Sequence, residues 1–258
     1  MNKTEKIKSE QISSAEKKLG LGEHLLVMRR TVVMIAIAIF TSFTAIFYLI
    51  SQPLVDFILK PVVARGVAVI SIRVSESLMM RMKTCLVASI VISMPFIIWQ
   101  IWRFAGPALY PSEKKVVRAL FVLMVIMFTV GIVFSYVTVF PLAIDLFYEA
   151  SEGVATPMWS VEGYFNFVLA FILPFGLMFE MPVVIFVLAR KGMVTGEALS
   201  KNRKFFILGA SVVAAVLTPP DIVSQTLLLL PLLLLYEISV IISKTVKVSS
   251  KESLTMQE

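Results

Sequence analysis

The side chains able to do chemistry in this chain are few and scattered. There is one Cys, Cys85, and one His, His24, so a disulfide within the chain is impossible and the familiar Cys and His zinc spacings are absent. No glycine-rich phosphate loop, nucleophile elbow or zincin pattern occurs, and no nucleophile, base and oxyanion donor can be placed together. The sequence therefore predicts a protein that is not an enzyme and uses no cofactor and no metal. What remains is recognition by isolated polar groups set in apolar sequence. Glu180 stands in FGLMFEMP, between Pro174 and Pro182. A carboxylate at such a place is costly unless it faces protein or a wet cavity. It reads either as the lining of a polar cavity that receives another segment, or as a packing bond to a neighbouring helix. Gln225 follows Asp221 by one turn, so the two can line one rim, and Asp221 equally suits the cap of the helix it precedes. Glu113, in YPSEKK, lies beside lysines. With Glu23 and the basic pair Arg29 and Arg30 it can form a charged patch, and carboxylates bind arginines through paired, charge-assisted bonds.

The elements that must position these groups are membrane helices. Of 258 residues, 58% are hydrophobic and only 16% charged, with a mean hydropathy of +0.90, against about 25% charged in ordinary soluble domains. The charges collect between apolar runs of spanning length, as lipid demands, because it offers an unpaired amide no partner. The expectation is an all-α polytopic fold with six transmembrane helices, at about 31–50, 84–102, 116–140, 164–189, 205–217 and 222–242. They form one membrane domain over 29–243, between a polar arm (1–28) and a charged tail (244–258). The fifth helix is short, about 20 to 23 Å against a hydrocarbon core of about 30 Å, which predicts local thinning of the bilayer. The first loop, from 51 to 83, is apolar enough in LVDFILKPVVARGVAVI for a short interfacial helix or two. The connection from Pro141 to Gly163 reads as a loop with acidic groups and no basic ones.

The net charge of +7 is a matter of orientation rather than of nucleic acid, because the basic residues flank apolar helices. All but five of the 24 Lys and Arg fall on the side of the two termini; Lys60, Arg65, Arg73, Arg81 and Lys83 are the exceptions. By the positive-inside rule both termini are cytoplasmic. Glu180 in a proline-broken helix also fits a small proton-coupled secondary transporter, and a membrane-complex scaffold is a third reading.

Four motifs carry a resemblance: GEHLLVMRR near the start, FAGPALYPSEKK in the second loop, FGLMFEMPVV in the fourth helix and LTPPDIVSQTLLLLPLLLLYE at the last turn and helix. Over roughly residues 20–243 the chain resembles the TatC family, the multi-spanning receptor subunit of the twin-arginine protein translocase. The resemblance implies six helices in a concave, glove-like arrangement in the plasma (inner) membrane. It also implies no covalent chemistry, binding of twin-arginine signal peptides of folded cargo, self-association, contact with membrane lipid, and recruitment of small single-span TatA/TatB-type subunits for export driven by the proton-motive force. Residue by residue, it implies that Glu113 reads the arginine pair, with Glu23, Arg29 and Phe104 beside it. Glu180 and Gln225 would lie inside the membrane cavity, with Asp221 and Pro53 at partner-docking positions. Glu76 and Lys83 match charged positions of the first external loop. One departure stands out: the family's first motif carries a Glu where this chain has Val27. Val27 cannot pair with an arginine, whereas Glu23, four positions earlier, lies one helical turn away.

Overall fold

The computed structural model describes residues 28–109, 114–151, 158–217 and 221–246. Ten α-helices and one short strand pair make up the described residues. Helix α1 is Met28–Leu49, followed by α2 (Ser51–Val63), β1 (Ala68–Ile70), α3 (Glu76–Leu109) and α4 (Lys114–Phe134). A π-helical turn, Ser135–Val139, runs into α5 (Phe140–Ser151). Then come β2 (Met158–Ser160), α6 (Val161–Phe179), α7 (Met181–Arg190), α8 (Gly196–Lys201), α9 (Arg203–Leu217) and α10 (Ile222–Thr245).

Five helical stretches are long and apolar enough to cross a membrane: Met28–Leu49, Glu76–Arg103, Lys115–Ser151, Val161–Arg190 and Ile222–Thr245. The sixth expected span is α9, whose 15 residues reach only about 22 Å, so by length alone it falls short of the other five. The molecule is a polytopic helical membrane protein.

The helices deviate from the sequence-based pattern where prolines act. The expected third span ends near Phe140, but the helix continues to Ser151 as one 37-residue run. Pro141 would normally collide with the carbonyl of the preceding turn. Here the π turn precedes it, and Phe140 donates to Ser135 in the wider ring, which opens that turn and lets the helix go on. Residues 141–151 are therefore helical rather than loop. The fourth span divides at Glu180, where the amide of Glu180 makes a tight bond back to Leu177 (3.1 Å) and Pro182 opens α7. Pro174, by contrast, sits inside an unbroken α6.

Packing inside lipid has no hydrophobic drive between helices, so close fit and small residues must supply it. Helices α4 and α6 show this. A Cβ added at Gly131 would lie 2.6 Å from the Phe175 carbonyl oxygen, and one at Gly176 would lie 2.6 Å from the Phe128 ring. The two backbones approach through these glycines. An aromatic ladder continues the seam, with Phe167 and Phe171 at 4.7 Å and Phe134 and Phe175 at 5.8 Å between ring centroids.

One end of the bundle carries a cap built from segments far apart in sequence. Strand β1 pairs in parallel with β2, Val69 opposite Trp159. Arg65 grips Asp145 through two bonds, at 2.5 and 3.1 Å, and also bonds the Pro61 carbonyl. Pro61 lies inside α2 and has no amide for the Phe57 carbonyl four residues back. The Tyr136 hydroxyl donates to that freed oxygen at 2.9 Å, its ring stacked on Phe57 at 4.4 Å. Tyr164 does the same for the neighbouring Ile58 carbonyl at 2.7 Å. At the opposite end, Arg203 bonds Glu237 at 2.7 Å, and Tyr236 stacks on Phe206 and donates to the Leu199 carbonyl.

Helix α1 stands apart. Only 6% of its best membrane window is buried, and Ser93 of α3 ties it to the bundle, its hydroxyl 3.0 Å from that of Ser42 and 3.5 Å from the Ala38 carbonyl.

Candidate functional site

The chain's own backbone builds the sharpest anomaly. The break between α6 and α7 leaves Glu180 in right-handed helical geometry (φ −72°, ψ −21°), and its carbonyl accepts from the amides of Val183 and Val184. The side chain is buried, 7% exposed. Among the described residues neither carboxyl oxygen has a hydrogen-bond partner. The backbone of Phe128 on α4 lies near enough to act on the carboxyl without meeting hydrogen-bond geometry, so cavity lining and packing against a neighbouring helix both stand as readings of this residue. A buried carboxyl group without a partner is a standing cost to the fold, and the surrounding helices supply apolar packing instead.

Gln225 and Asp221 divide between the readings offered for them. Asp221 caps α10, its carboxylate accepting from the Ser224 amide at 2.7 Å. The same residue borders a cavity of about 440 Å³ walled by Phe147, Trp159, Tyr164 and Phe167. Half-buried Gln225 donates to the Ser211 carbonyl of α9 at 3.2 Å, so it ties the short α9 to α10. No bond joins Gln225 to Glu180 among the described residues.

Glu76 has the best-satisfied carboxylate in the cap. It opens α3, ahead of the apolar stretch that begins after Lys83, and is 4% exposed. One oxygen accepts from the amides of Ile72 (2.7 Å) and Arg73 (3.0 Å), the other from the Glu162 amide at the head of α6 (2.6 Å). These amide bonds, led by that from Glu162, hold its carboxyl below the ordinary value of about 4.5. Across the same junction Arg73 faces Glu162 at 3.7 Å. Lys83 donates to Asn166 of α6 at 3.2 Å. Pro53 sits exposed in the first turn of α2 and Arg29 exposed at the start of α1. Glu23, Val27 and Glu113 lie outside the described residues. Phe104 falls within α3, with its side chain outside the described set.

Sequence reasoning did not find the Arg65–Asp145 pair, whose hydrogen bond raises the Arg65 pKa further. Nor did it find Asn166, Tyr136 or Tyr164. The signal was one arginine among the five basic residues of the first loop and one aspartate among the acidic groups of a loop thought to be separate. What the arrangement can do chemically is bind: it holds one unsatisfied carboxyl group inside the bundle, a rigid polar cap at one end and a nearly free helix at its edge.

The family model described as Sec-independent protein translocase protein (TatC) matches residues 23–231. A TatC protein of Carboxydothermus hydrogenoformans is 37% identical over 233 residues, covering 90% of this chain and 96% of its own. That of Escherichia coli strain K12 is 35% identical over 239 residues, covering 90% of each. A crystal structure of the twin arginine translocase receptor TatC superposes with a TM-score of 0.80 at 35% identity, over 85% of this chain and 97% of that one. These relatives are components of a protein translocase, not enzymes. By motif order, membrane helices and length-wide likeness, the chain belongs to the TatC family of Sec-independent protein translocase proteins.

Proposed function

We propose that this protein is the receptor and core subunit of a twin-arginine translocase in the plasma membrane, with both termini in the cytoplasm. Signal peptides of folded precursors bind first at the end carrying the α3–α4 loop. There Glu113 reads the arginine pair, with Glu23, Arg29 and Phe104 beside it. The signal's apolar core then lies along the helix walls toward Glu180, while small single-span TatA/TatB-type subunits dock where Glu180, Gln225 and Asp221 offer polar contacts. Pro53, Glu76 and Lys83 hold the external side.

The observation that carries this reading is Glu180. A carboxyl group buried in a membrane bundle with no hydrogen-bond partner among the described residues is a demand that a second polypeptide's polar group can meet. The depth of Glu180 in the α6–α7 break supports a contact made inside the membrane rather than at its surface. Glu113 supports the recognition step by chemistry, since a carboxylate and a guanidinium pair through two parallel bonds. Val27 in place of a family glutamate implies relaxed selectivity for the arginine pair, with Glu23 supplying part of the missing charge.

Photocrosslinking from probes beside Glu113 to a precursor in native membranes tests the reading. Twin-arginine signals should crosslink and twin-lysine versions should crosslink less, with the difference widening in Val27→Glu. Absence of any precursor crosslink, with partners present and the protein folded, would overturn it.

A further inference from the structure

A second concave surface does not include Glu180 in its lining. It is a groove of about 520 Å³ between α2, α3, α4 and α6, lined by apolar side chains that include Leu54, Val87, Ala88, Val91, Ile132 and Leu169. Phe57 and Tyr136, stacked and hydrogen-bonded as described above, close it toward the cap. Sideways it is open. Its rim residues Phe57, Ile92, Val133 and Val137 are each more than half exposed, and they face where lipid must stand.

The groove's depth decides what fits it. From Thr84 to Ile92, its lining on α3 spans nine residues, or about 12 Å from first to last. A partner helix crossing the bilayer needs about 30 Å of track, whereas one leaflet's hydrocarbon is about half of that. The groove proper is therefore about one leaflet deep and roofed at the level of the headgroups, and only a small extension of about 100 Å³ continues it between α3 and α4 as far as Ile98. The charge at that level is positive. Arg81, one turn above Thr84, donates to Gln52 at 2.5 Å, and Lys83 donates to Asn166, one turn above the lining residue Leu169. Both bonds are to neutral amides, so neither cation is neutralised by its partner. A carboxylate joins this network only through Gln52, whose amide nitrogen donates to Asp56. At the upper end of the groove the Thr84 hydroxyl is buried, 1% exposed, and has no partner among the described residues. Threonine in a helix has two accessible χ1 wells, so a single rotation can turn this donor toward an acceptor placed at the boundary of the hydrocarbon.

We propose that this groove binds one acyl chain of an anionic phospholipid from the leaflet on the cap side, its phosphate held by Arg81 and Lys83 and its ester group beside Thr84. Glu180 is not among the residues that line the site, which places a lipid against α2, whose contacts shape the cap.

The test uses the full-length protein in nanodiscs of phosphatidylglycerol and phosphatidylcholine, doped with either lipid carrying a photoactivatable group midway along one chain. After irradiation, adducts are mapped by peptide mass spectrometry. Adducts should concentrate on residues 87–92 and 132–137 rather than on the exposed faces of α1 and α9, which serve as controls for random lipid contact and for folding. Ala88→Trp, or Leu169→Phe should the first variant fail to fold, fills the groove and should abolish these adducts while those on α1 and α9 persist. Arg81→Gln should cut the preference for the phosphatidylglycerol probe by about fivefold, the worth of one basic residue near an anionic membrane surface. Adducts that simply follow exposure across the protein, or groove adducts unchanged in both filling variants, overturn the site. Groove adducts with no headgroup preference in the unaltered protein overturn the role given to Arg81 and Lys83.

Discussion

Replacing Glu180 with leucine should make the isolated protein more stable and the translocase less active. The structure supplies the reasoning. Both carboxyl oxygens are buried and without partners among the described residues, in a site 7% exposed. An unsatisfied buried polar group costs about 1–3 kcal/mol, and leucine offers similar reach with no polar atom. Backbone strain does not interfere, because Glu180 has ordinary helical dihedrals and the break depends on Pro182, which stays. The expected gain is about 2 kcal/mol, which changes the unfolding equilibrium about thirtyfold. Equilibrium unfolding of the purified protein in mixed micelles reads the first effect, and precursor transport into inverted vesicles containing the partner subunits reads the second. Glu180→Gln separates charge from polarity: it stays polar and unsatisfied, so its gain in stability should be smaller. A loss of 1 kcal/mol or more in Glu180→Leu would refute the argument, since it would mean that the folded chain itself satisfies the carboxyl group.

Three other outcomes follow from the packing and the cap. Tyr136→Phe should cost about 1 kcal/mol by leaving the Phe57 carbonyl without a donor. Pro61→Ala restores the helical amide that the carbonyl lacks, so a double-mutant cycle of the two should show coupling rather than additivity; strictly additive unfolding energies would count against the account. Gly131→Ala should destabilise by about 1–3 kcal/mol, because its methyl group would meet the Phe175 carbonyl at 2.6 Å, and the same unfolding assay would show no change if α4 and α6 can part cheaply. Glu76 gives a pH dependence. Its carboxyl is held below its ordinary value in the folded state, so its contribution is complete above about pH 4.5 and is lost as pH falls through the lower folded value. Pepsin nicking around Ile72 should rise over that acid range in the native protein, whereas Glu76→Gln should be nicked readily at the top of the range as well.

The sequence displayed its membrane spans clearly because each is a long apolar run bounded by charge, and the short α9 was visible for the same reason. It also displayed the isolated polar groups, since Glu180 is conspicuous among phenylalanines and leucines. What it concealed are relations between distant segments. A π turn has no residue signature, so the helix past Pro141 looked like a loop. The strands β1 and β2 have three residues each and exist only as each other's partner. Asp221 was ambiguous because a capping carboxylate and a cavity carboxylate are the same residue type; the bond to the Ser224 amide gives it the capping role, and the adjoining aromatic cavity leaves the other reading with a place to act. The bond from Gln225 to the Ser211 carbonyl was hidden because a backbone acceptor on another helix leaves no trace in the sequence.

The cap has a consequence for the time course of synthesis. Glu76 must wait for the amide of Glu162, 86 residues later, and Ile58 for the hydroxyl of Tyr164, 106 residues later. At ribosomal speeds of about 5–20 residues per second, the first of these intervals lasts about 4–17 seconds. During it the segment from α2 to β1 leaves the ribosome with an unpaired strand edge and a carboxylate that has only its local amides. A nascent chain halted before Glu162 cannot close this end, and a protease that samples it then meets loose peptide where the finished protein presents a closed cap.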